Sequence, residues 1–493
     1  MIDLFPFAGY PVAVFGLGRS GLTSAQALKE SGAEVSAWDD DEAARERAGE
    51  EGVPLDNLYE CDWSQHTTLV LSPGIPLHHP EPHPIVEKAV AANVEVICDV
   101  ELLIRAQRDA SYIGITGTNG KSTTTALVGH IMLVSGRDAE IGGNLGIPVL
   151  ELAALGLDAT YVLEMSSYQL ELTKSITFDV AVLLNISPDH LDRHGGMDGY
   201  IAAKKLIFHR QTAPRTAVIG VDDENCRTIY EDLKAADEQV VIGISGSERV
   251  HGGVYVIDGV MIDDTEGQET PVMDLKDIPS LPGRHNWQNA AAAYAAAKSA
   301  GVQPHAAMAC IQSYPGLVHR QEAVAVINGV GYVNDSKATN AEAASRALAC
   351  YDAIYWIVGG RPKDGGLKAA ESHLAPGLTN VRHAFLIGEA ALEFSQFLDG
   401  RVPITMSGDL KAAVKDAHAL AKKEKASWES SGGAVVLLSP ACASFDQFDD
   451  FEARGDAFKD LVEALPGKKL DPFEEPGIFP SAMNSGGPEE AAQ

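Results

Sequence analysis

The chain contains little cysteine, comparatively little positive charge and no long apolar run. Its cysteines are scattered without C-x-x-C spacing, which argues against a disulfide framework and against a zinc site. No apolar stretch reaches the roughly 18 residues that a membrane-spanning helix needs. Near the N-terminus, Asp3 stands where an export signal would carry basic residues. We therefore expect a soluble cytoplasmic protein without membrane insertion.

The charge is strongly unbalanced, since 38 Lys and Arg residues stand against 69 Asp and Glu residues, for a formal net charge of −31. Such a surface repels nucleic acid and anionic lipid at long range. A phosphate-bearing ligand must then be bound by local donors, such as backbone amides and a few placed lysines or arginines. The composition therefore predicts that nucleic acid is not a partner.

A length of 493 residues predicts about three domains, at roughly 150 residues each. Residues 1–109 are expected to form the first. An apolar strand at 12–15 is followed by the turn "GLGRSG", a helix and a second strand at 34–38 that ends in Asp39. A G-x-G-x-x-G turn with an acidic residue roughly 20 positions later is typical of a dinucleotide site, and by itself it indicates NAD.

Residues 110–313 are expected to form the second domain, which opens with the strand and loop "GITGTNGKSTTT". The usual phosphate-loop pattern would need glycine in place of Ile115, whereas this chain offers Gly117 and Gly120 ahead of a Lys-Ser pair. Strand, loop and helix still follow in the order that phosphate binding at a helix N-terminus requires. The alternative interpretation is a surface turn with an exposed lysine.

Two later strands of this domain, "ATYVLEM" and "FDVAVLLNI", end in polar residues. Ligands of open α/β sheets bind at the carboxyl ends of the strands, so Glu164 and His190 are candidates to face the loop. The alternatives are a salt-bridged carboxylate at Glu164 and a helix cap at His190. The alternating stretch "GVYVIDGVMIDD" predicts antiparallel hairpins attached to the domain.

Residues 314–465 alternate between strands and helices again and predict a third α/β domain, entered through the linker "SYPGLVHRQEAV". The predicted fold class is thus α/β with three domains: a Rossmann-like N-terminal domain, a central domain like P-loop ATPases and a Rossmann-like C-terminal domain. Residues 466–493 are rich in proline, glycine and acidic residues and are expected to be a disordered tail.

Nine motifs occur along the chain in this order: "TGTNGKSTTT", "GGNLG", "LEMSSYQLE", "NISPDHLDRH", "YIAAKKLIF", "LPGRHNWQNAAAA", "PGLVHRQE", "NDSKATN" and "LLSPACASFDQFDDFEARG". Together they make residues 12–465 similar to the Mur ligases of peptidoglycan synthesis, most of all to the members that add D-glutamate to UDP-N-acetylmuramoyl-L-alanine. These enzymes phosphorylate a substrate carboxylate with ATP, and an amino acid amine then displaces the phosphate. The resemblance implies an ATP- and Mg²⁺-dependent ligase that acts on small molecules, expected to be a monomer.

The resemblance also implies the residues of the site. Those for ATP are Gly117, Thr118, Asn119, Gly120, Lys121, Ser122, Thr123, Asn286, Asn289, His319, Arg320, Asp335 and Lys337. Those for catalysis are Lys121, Glu164, His190 and Lys204. Two magnesium ions would be bound by Ser122, Glu164, His190 and a carbamylated Lys204. The UDP end of the substrate would contact Arg19, Ser20, Gly74, Asn144 and His190. D-Glutamate would contact Thr339, Lys363, Ser444, Phe445 and Phe451.

The resemblance argues against NAD, because the first domain of this family binds the UDP end of the substrate. Two departures from the family pattern stand out. The chain has Asp40-Asp41 where relatives often carry Thr-Arg, and Arg361 in "GGRPKD" where the family usually has an acid. The alternatives left open are a folylpolyglutamate synthase-like ligase, an NAD-dependent oxidoreductase and a catalytically inactive binding protein.

Overall fold

The protein is described by a computed structural model that covers residues 1–276, 278, 280–362, 374–424 and 433–472. The chain folds into two compact units. The first comprises Met1–Val256, Ile262–Thr270 and Gln288–Ile311, and the second comprises Ile257–Met261, Pro271–Trp287 and Gln312–Gln493. None of the helices in these described ranges is both long enough and apolar enough to cross a membrane.

The strands are β1 Pro11–Phe15, β2 Glu34–Trp38, β3 Thr68–Leu71, β4 Glu95–Ile97, β5 Ser111–Thr116, β6 Ala139–Gly143, β7 Thr160–Glu164, β8 Val180–Leu183, β9 Thr216–Gly220, β10 Val240–Ser245, β11 Val254–Ile257, β12 Val260–Asp263, β13 Thr270–Asp274, β14 Glu322–Ile327, β15 Val330–Asn334, β16 Ile354–Gly359, β17 Val381–Ile387, β18 Ile404–Gly408, β19 Ala434–Leu438 and β20 Lys469–Leu470.

The α-helices are α1 Arg19–Glu30, α2 Glu42–Glu50, α3 Pro84–Ala91, α4 Asp99–Ala106, α5 Lys121–Val134, α6 Ser167–Glu171, α7 Leu191–His194, α8 Met197–Lys205, α9 Glu224–Ala236, α10 Arg284–Ser299, α11 Pro304–Gln312, α12 Ala341–Leu348, α13 Ala391–Leu398, α14 Leu410–Lys423 and α15 Phe451–Glu463. Short 3₁₀ turns lie at Phe5–Phe7, Trp63–Gln65, Val149–Glu151, Leu206–Phe208 and Ala375–Asn380.

The first unit contains two parallel sheets. One has the strand order β2-β1-β3-β4, and the other runs β11-β10-β9-β8-β5-β7-β6 within this unit. The central strands β5, β7 and β8 are buried almost throughout, which is why they read as continuous apolar runs rather than alternating ones. Because all of them are parallel, their carboxyl ends lie along one edge, where the phosphate loop and the residues after β7 and β8 emerge.

The second unit contains one sheet with the strand order β18-β17-β16-β19-β15-β14-β20, in which β14 is antiparallel to both of its neighbours. Alternate residues of β16 face opposite layers. Trp356 packs in the layer of α12 and α13, whereas Tyr355 and Ile357 pack in the layer of α14 and α15. This three-layer arrangement is the Rossmann-like fold predicted for the C-terminal part of the chain.

Two strands lie in stretches that were predicted to be a linker and a disordered tail. β14 begins at Glu322, inside the stretch interpreted as a linker, and β20 falls within the predicted tail, where it pairs with Val326 and Ile327. β20 spans only Lys469–Leu470, which is too short to produce a periodic pattern in the sequence. The rest of the predicted tail, residues 473–493, lies outside the described residues.

Candidate active site

The loop between β5 and α5 explains the displaced glycine of the phosphate-binding motif. Ile115 is a fully buried residue of β5, so glycine is not needed there. The turn is instead made by Gly117 at φ 154 and Gly120 at φ 83, which are backbone conformations that other residues rarely adopt. A Cβ atom on Gly120 would also lie 2.3 Å from Oδ1 of Asn289. Both glycines are therefore required by the shape of this shorter loop.

Part of the loop is bonded within the protein. Thr118 N donates to Asn185 O and Asn119 N donates to Asn185 Oδ1, each at 2.8 Å, and Asn185 Nδ2 donates back to Asn119 O at 3.1 Å. The Thr118 hydroxyl accepts from Ser187 N at 3.0 Å. Of the amides at 118–123 that the resemblance assigns to phosphate, those of Thr118 and Asn119 are thus already bonded inside the protein. The next residues form the N-terminus of α5, where the helix dipole favours an anion.

Asn185 and Ser187 were not singled out from the sequence. The signal was present, since both belong to the quoted "NISPDHLDRH" and follow the buried strand β8. Polar residues at that place in an open α/β sheet face the ligand edge. In the structure, Asn185 and Ser187 form hydrogen bonds to the phosphate loop, which only the three-dimensional arrangement shows.

Two predicted catalytic lysines meet at this loop. Lys121 Nζ and Lys204 Nζ both donate to Gly117 O at 2.9 Å. Lys204 is 1% exposed and lies over the ring of Tyr200, 4.7 Å from its centroid. Burial, with a smaller contribution from the charge of Lys121, lowers the pKa of Lys204 to about 7. Near neutral pH, Lys204 therefore exists in part as the uncharged, nucleophilic amine.

Glu164 ends β7 and is 2% exposed. Its Oε1 accepts from Asn144 Nδ2 at 2.8 Å, so a predicted metal ligand and a predicted UDP-substrate ligand are in contact. Its Oε2 is buried and accepts no hydrogen bond from any residue that the structure describes. A carboxylate oxygen left unpaired beside a phosphate loop is chemically suited to Mg²⁺.

In the described parts of the chain, no three His, Cys, Asp or Glu side chains lie close enough together to hold a metal ion. This fits magnesium at an ATP site, because Mg²⁺ typically takes one or two carboxylates from the protein and its other ligands from phosphates and water. Ser122, half a turn into α5 and 9% exposed, is placed to supply a hydroxyl.

His190 lies on the loop after β8 at φ 50, with its side chain 53% exposed. It contacts Asp189 at 3.4 Å, and its ring centroid is 5.4 Å from that of Tyr168. The following helix α7 also reaches the N-terminal sheet, because Arg193 Nη1 donates to Gly74 O at 2.9 Å. The predicted diphosphate contact at Gly74 and the predicted metal ligand His190 are thus connected through one short helix.

The first glycine turn differs from a dinucleotide site in how its acid is used. Asp39 Oδ2 accepts from Leu17 N at 2.5 Å, and Asp39 Oδ1 accepts from Asp41 N at 2.8 Å. Both oxygens therefore bind the backbone, whereas a dinucleotide site offers the acid to a ribose hydroxyl. Arg19 and Ser20, the predicted UDP contacts, begin α1 directly after this turn and are exposed and half-buried.

The departure at Asp40-Asp41 has a structural consequence. Asp40 accepts from the Tyr59 hydroxyl at 2.9 Å and contacts His83 Nε2 at 3.2 Å. Burial and the neighbouring Asp40 carboxylate raise the pKa of Tyr59 to about 12. Asp41 caps α2, and Arg45 of that helix reaches back to the carbonyl oxygens of residues 39 and 40 at 2.7 and 2.9 Å. A helix arginine therefore supplies the cation near this strand end.

In the second unit, the predicted ribose ligand Asp335 directly follows β15 and is buried. Its Oδ1 accepts from Gln321 N at 3.1 Å and its Oδ2 accepts from the Ser439 hydroxyl at 2.8 Å. Burial raises the pKa of Asp335 to about 7, although Ser439 and the positive charge of Arg320 oppose the rise. The carboxyl group is thus already bonded inside the protein.

Further predicted nucleotide residues lie in the same unit. His319 is buried at φ 63, and its Nδ1 is 3.0 Å from Asn334 Nδ2. Asn286 is buried near the start of α10 and donates to the carbonyl oxygen four residues earlier at 2.8 Å. Lys337 Nζ lies 5.6 Å from the ring centroid of Phe451, a cation–π distance. The structure thereby brings a predicted phosphate ligand beside a predicted amino-acid ligand.

The remaining amino-acid candidates differ in exposure. Ser444 is 2% exposed, whereas Phe445 next to it is 61% exposed. Thr339 is half-buried in the loop before α12. Lys363 lies outside the described residues.

Arg454 of α15 was quoted only as part of a motif, yet it is 1% exposed. Its Nη2 donates to Ser336 O at 2.9 Å and its Nη1 donates to Cys442 O at 3.2 Å. It therefore connects the loop after β15 with the loop after β19. Burial lowers the pKa of Arg454 to about 10, so the group remains charged at neutral pH.

Residues 115–297 match the family described as the Mur ligase middle domain. A UDP-N-acetylmuramoylalanine-D-glutamate ligase from Rhodospirillum rubrum is 49% identical over 94% of this chain and 97% of that protein. One from Caulobacter vibrioides is 52% identical over 94% of this chain and 98% of that protein. The chain belongs to the Mur ligase family.

Solved Mur ligases share the fold at much lower identity. UDP-N-acetylmuramate-alanine ligase from Thermotoga maritima has a TM-score of 0.54 at 15% identity, covering 92% of this chain and 99% of that one. A pseudomurein peptide ligase type C from Methanothermus fervidus has a TM-score of 0.52 at 18% identity, with the same coverage. These similarities confirm the predicted three-domain α/β fold class. Mur ligases use ATP and Mg²⁺. The turn "GLGRSG" of this chain therefore does not indicate an NAD enzyme.

Proposed function

We propose that this Mur ligase adds D-glutamate to UDP-N-acetylmuramoyl-L-alanine, with ATP as the source of energy, in the synthesis of the peptidoglycan precursor. The observation that carries the proposal is about 50% identity, over nearly the whole chain, to ligases named for this reaction. Two features of the phosphate loop support it: two lysines donate to one carbonyl oxygen, and one buried oxygen of Glu164 nearby has no hydrogen-bond partner among the described residues.

The reaction joins two anions, so positive donors should dominate its catalysis. The substrate carboxylate attacks the γ-phosphorus of ATP, the bond to ADP breaks, and the amine of D-glutamate then displaces phosphate from the acyl phosphate. Lys121 and the loop at the N-terminus of α5 bind the β- and γ-phosphates, and the hydrogen bonds of Asn185 to residue 119 hold that loop in place. Arg320 and Lys337 add positive charge on the nucleotide side, and Asn286, Asn289 and His319 are proposed for the adenine end.

Glu164 fits a magnesium ligand because one of its oxygens is buried and has no hydrogen-bond partner in the part of the chain that the structure describes. Ser122 and His190 are proposed to complete two sites. A bound magnesium ion would neutralise charge that builds up on the phosphate oxygens. We further propose that Lys204 is carbamylated. Its buried amine is partly uncharged near pH 7, which is the form that reacts with carbon dioxide, and the product would place a negative charge beside Lys121.

The same proposal assigns residues to the UDP-bearing substrate and to D-glutamate. Arg19, Ser20, Gly74, Asn144 and His190 bind the UDP end, and Thr339, Lys363, Ser444, Phe445 and Phe451 bind D-glutamate. The domains are proposed at 1–109, 110–313 and 314–465. The enzyme is proposed to act as a monomer in the cytoplasm.

The test is ATP-dependent phosphate release with UDP-N-acetylmuramoyl-L-alanine and Mg²⁺, run in parallel with D-glutamate, L-glutamate, D-aspartate or no amino acid. Release with D-glutamate alone is expected. Lys121→Ala should lose at least about 100-fold in kcat, because it removes charge at the transferred phosphate, and exposed Lys205→Ala is the matched control. Release that is independent of the amino acid would exclude the proposed reaction.

A further inference from the structure

Three loops of the second unit follow neighbouring parallel strands and meet at one edge of its sheet. They come after β16, β17 and β19, which are adjacent in the order β17-β16-β19. Ligands of such sheets bind at this edge. The loop after β19 carries Ser444 and Phe445, the residues proposed above for D-glutamate. The loop after β16 carries Arg361, the departure from the family pattern to which no role has yet been given.

Arg361 joins these loops in two ways. Its backbone forms an antiparallel bridge with Ala443, in which Arg361 N donates to Ala443 O at 2.9 Å and Ala443 N donates to Arg361 O at 3.0 Å. Its guanidinium group faces both carboxylate oxygens of Glu389, with Nε and Nη2 each at 3.3 Å. Glu389 lies on the loop after β17, so one residue connects all three loops.

A further contact closes the ring. Glu389 N donates a hydrogen bond to Asp446 Oδ2, in the loop after β19, at 3.0 Å. This closeness is possible because residue 388 is glycine at φ 68, where a Cβ atom would lie 2.1 Å from the same Asp446 oxygen. The segment 443–446, which includes Ser444 and Phe445, is thus bound at both of its ends.

We propose that Arg361 and Glu389 are positioning residues for the amino-acid substrate, because their ion pair orders the segment 443–446 so that Ser444 and Phe445 can meet D-glutamate. This inference rests on the proposed function. The acid that the family usually has at position 361 would repel Glu389, so the ion pair depends on the arginine of this chain. Glu389 occupies the Nε–Nη2 edge of the guanidinium group, an edge that a substrate carboxylate would otherwise use. With that edge occupied, Arg361 acts through the loop.

The experiment compares R361E, E389R and the double variant R361E/E389R, in which the charges are exchanged. Each single variant should raise KM for D-glutamate about three- to tenfold, as expected for loss of a half-exposed ion pair plus a new repulsion, with KM for ATP within about twofold of wild type. The double variant should recover to within about twofold. R249E, which breaks the exposed Arg249–Glu269 pair of the first unit, is the matched control.

Hydrogen exchange gives a readout that needs no substrate. The amides of Ala443 and Glu389 should exchange faster in each single variant and return to the wild-type rate in the double variant. Unchanged KM and unchanged exchange in both single variants would overturn the inference. A double variant no better than R361E would also overturn it, since Arg361 would then contact the substrate directly. Wild-type enzyme that ignores D-glutamate would refute the proposed function, whereas the exchange rates would still report on the ion pair.

Discussion

Lys204 is a buried lysine whose ammonium group lies against a backbone carbonyl oxygen, the Thr116 hydroxyl and an aromatic ring. Burial of a charge with so little compensation is costly, and the lowered pKa of Lys204 expresses that cost. Residues with strongly shifted pKa values in a cleft are frequent at functional sites. At the residue scale, Lys204 and Asp335 are therefore the most informative side chains to change.

Lys204→Ala is expected to lose about 100-fold or more in kcat, because it removes the group that carries the proposed carbamate. Acetate or formate should restore part of the lost activity by placing a carboxylate in the vacated space. Phosphate release measured with and without these anions tests this, and the neighbouring Lys205→Ala should remain within about twofold of wild type. A Lys204→Ala enzyme that is indifferent to both anions would count against the carbamate.

Asp335 predicts a dependence of stability on pH. Its pKa is about 7 when folded and near 3.8 when unfolded, so the folded state retains the proton longer. The contribution of Asp335 to the free energy of unfolding is fully present below about pH 4 and is lost as the pH rises through about 7. Asp335→Asn, which cannot ionise, should gain stability relative to wild type between pH 5 and about pH 8 in urea unfolding. Exposed Asp399→Asn is the control, and parallel pH curves for wild type and Asp335→Asn would contradict the argument.

At the scale of elements, the phosphate loop between β5 and α5 depends on hydrogen bonds from the segment after β8. The segment after β8 binds the phosphate loop through Asn185. The side chain of Asn185 accepts a hydrogen bond from Asn119 N and donates one to Asn119 O. The helix α5 alone cannot fix the loop, because the amides of Thr118 and Asn119 precede its first turn. The geometry of the phosphate site is therefore a property of two segments separated by 66 residues.

Asn185→Ala should raise KM for ATP about tenfold or more, since it removes two part-buried hydrogen bonds to the phosphate loop, each worth about 1 kcal/mol. KM for D-glutamate should change little. Asn225→Ala is the matched control, because its amide makes one long contact of 3.4 Å in the same region. Equal effects of the two variants on KM for ATP would show that Asn185 has no special role.

At the scale of the whole molecule, a net charge of −31 is spread over two compact units. Such an excess of one sign destabilises the compact state through self-repulsion. It also explains why anionic substrates must be bound by local groups, such as the paired lysines at Gly117 and the helix N-terminus behind them.

Raising the salt concentration from about 10 mM to about 150 mM shortens the Debye length from about 30 Å to about 8 Å. The midpoint of thermal unfolding should therefore rise by about 2 °C or more, as measured by circular dichroism. NaCl and KCl should act alike at equal ionic strength, because screening depends on charge. A midpoint that is flat, or that responds to only one of the two salts, would argue against self-repulsion.

The sequence by itself determined the architecture and the ends of the central strands, because buried parallel strands produce long apolar runs and their last residues are polar. The strand ends led to the predictions for Glu164 and His190, the glycine loop led to that for Lys121, and the alternation of strands and helices correctly gave the fold class. The order of the motifs predicted the Mur ligase family. It also predicted a role for Lys204, which composition alone would place on a helix surface.

Only the tertiary structure decided which groups are already bonded and which remain for a ligand. Both carboxylate oxygens of Asp39 and of Asp335 accept hydrogen bonds, whereas one oxygen of Glu164 has no partner among the described residues. The role of Asn185 and the pairing of Arg361 with Glu389 were equally hidden. Hydrogen bonds and ion pairs join residues far apart in the chain, so they depend on distances that no local pattern of residue types contains.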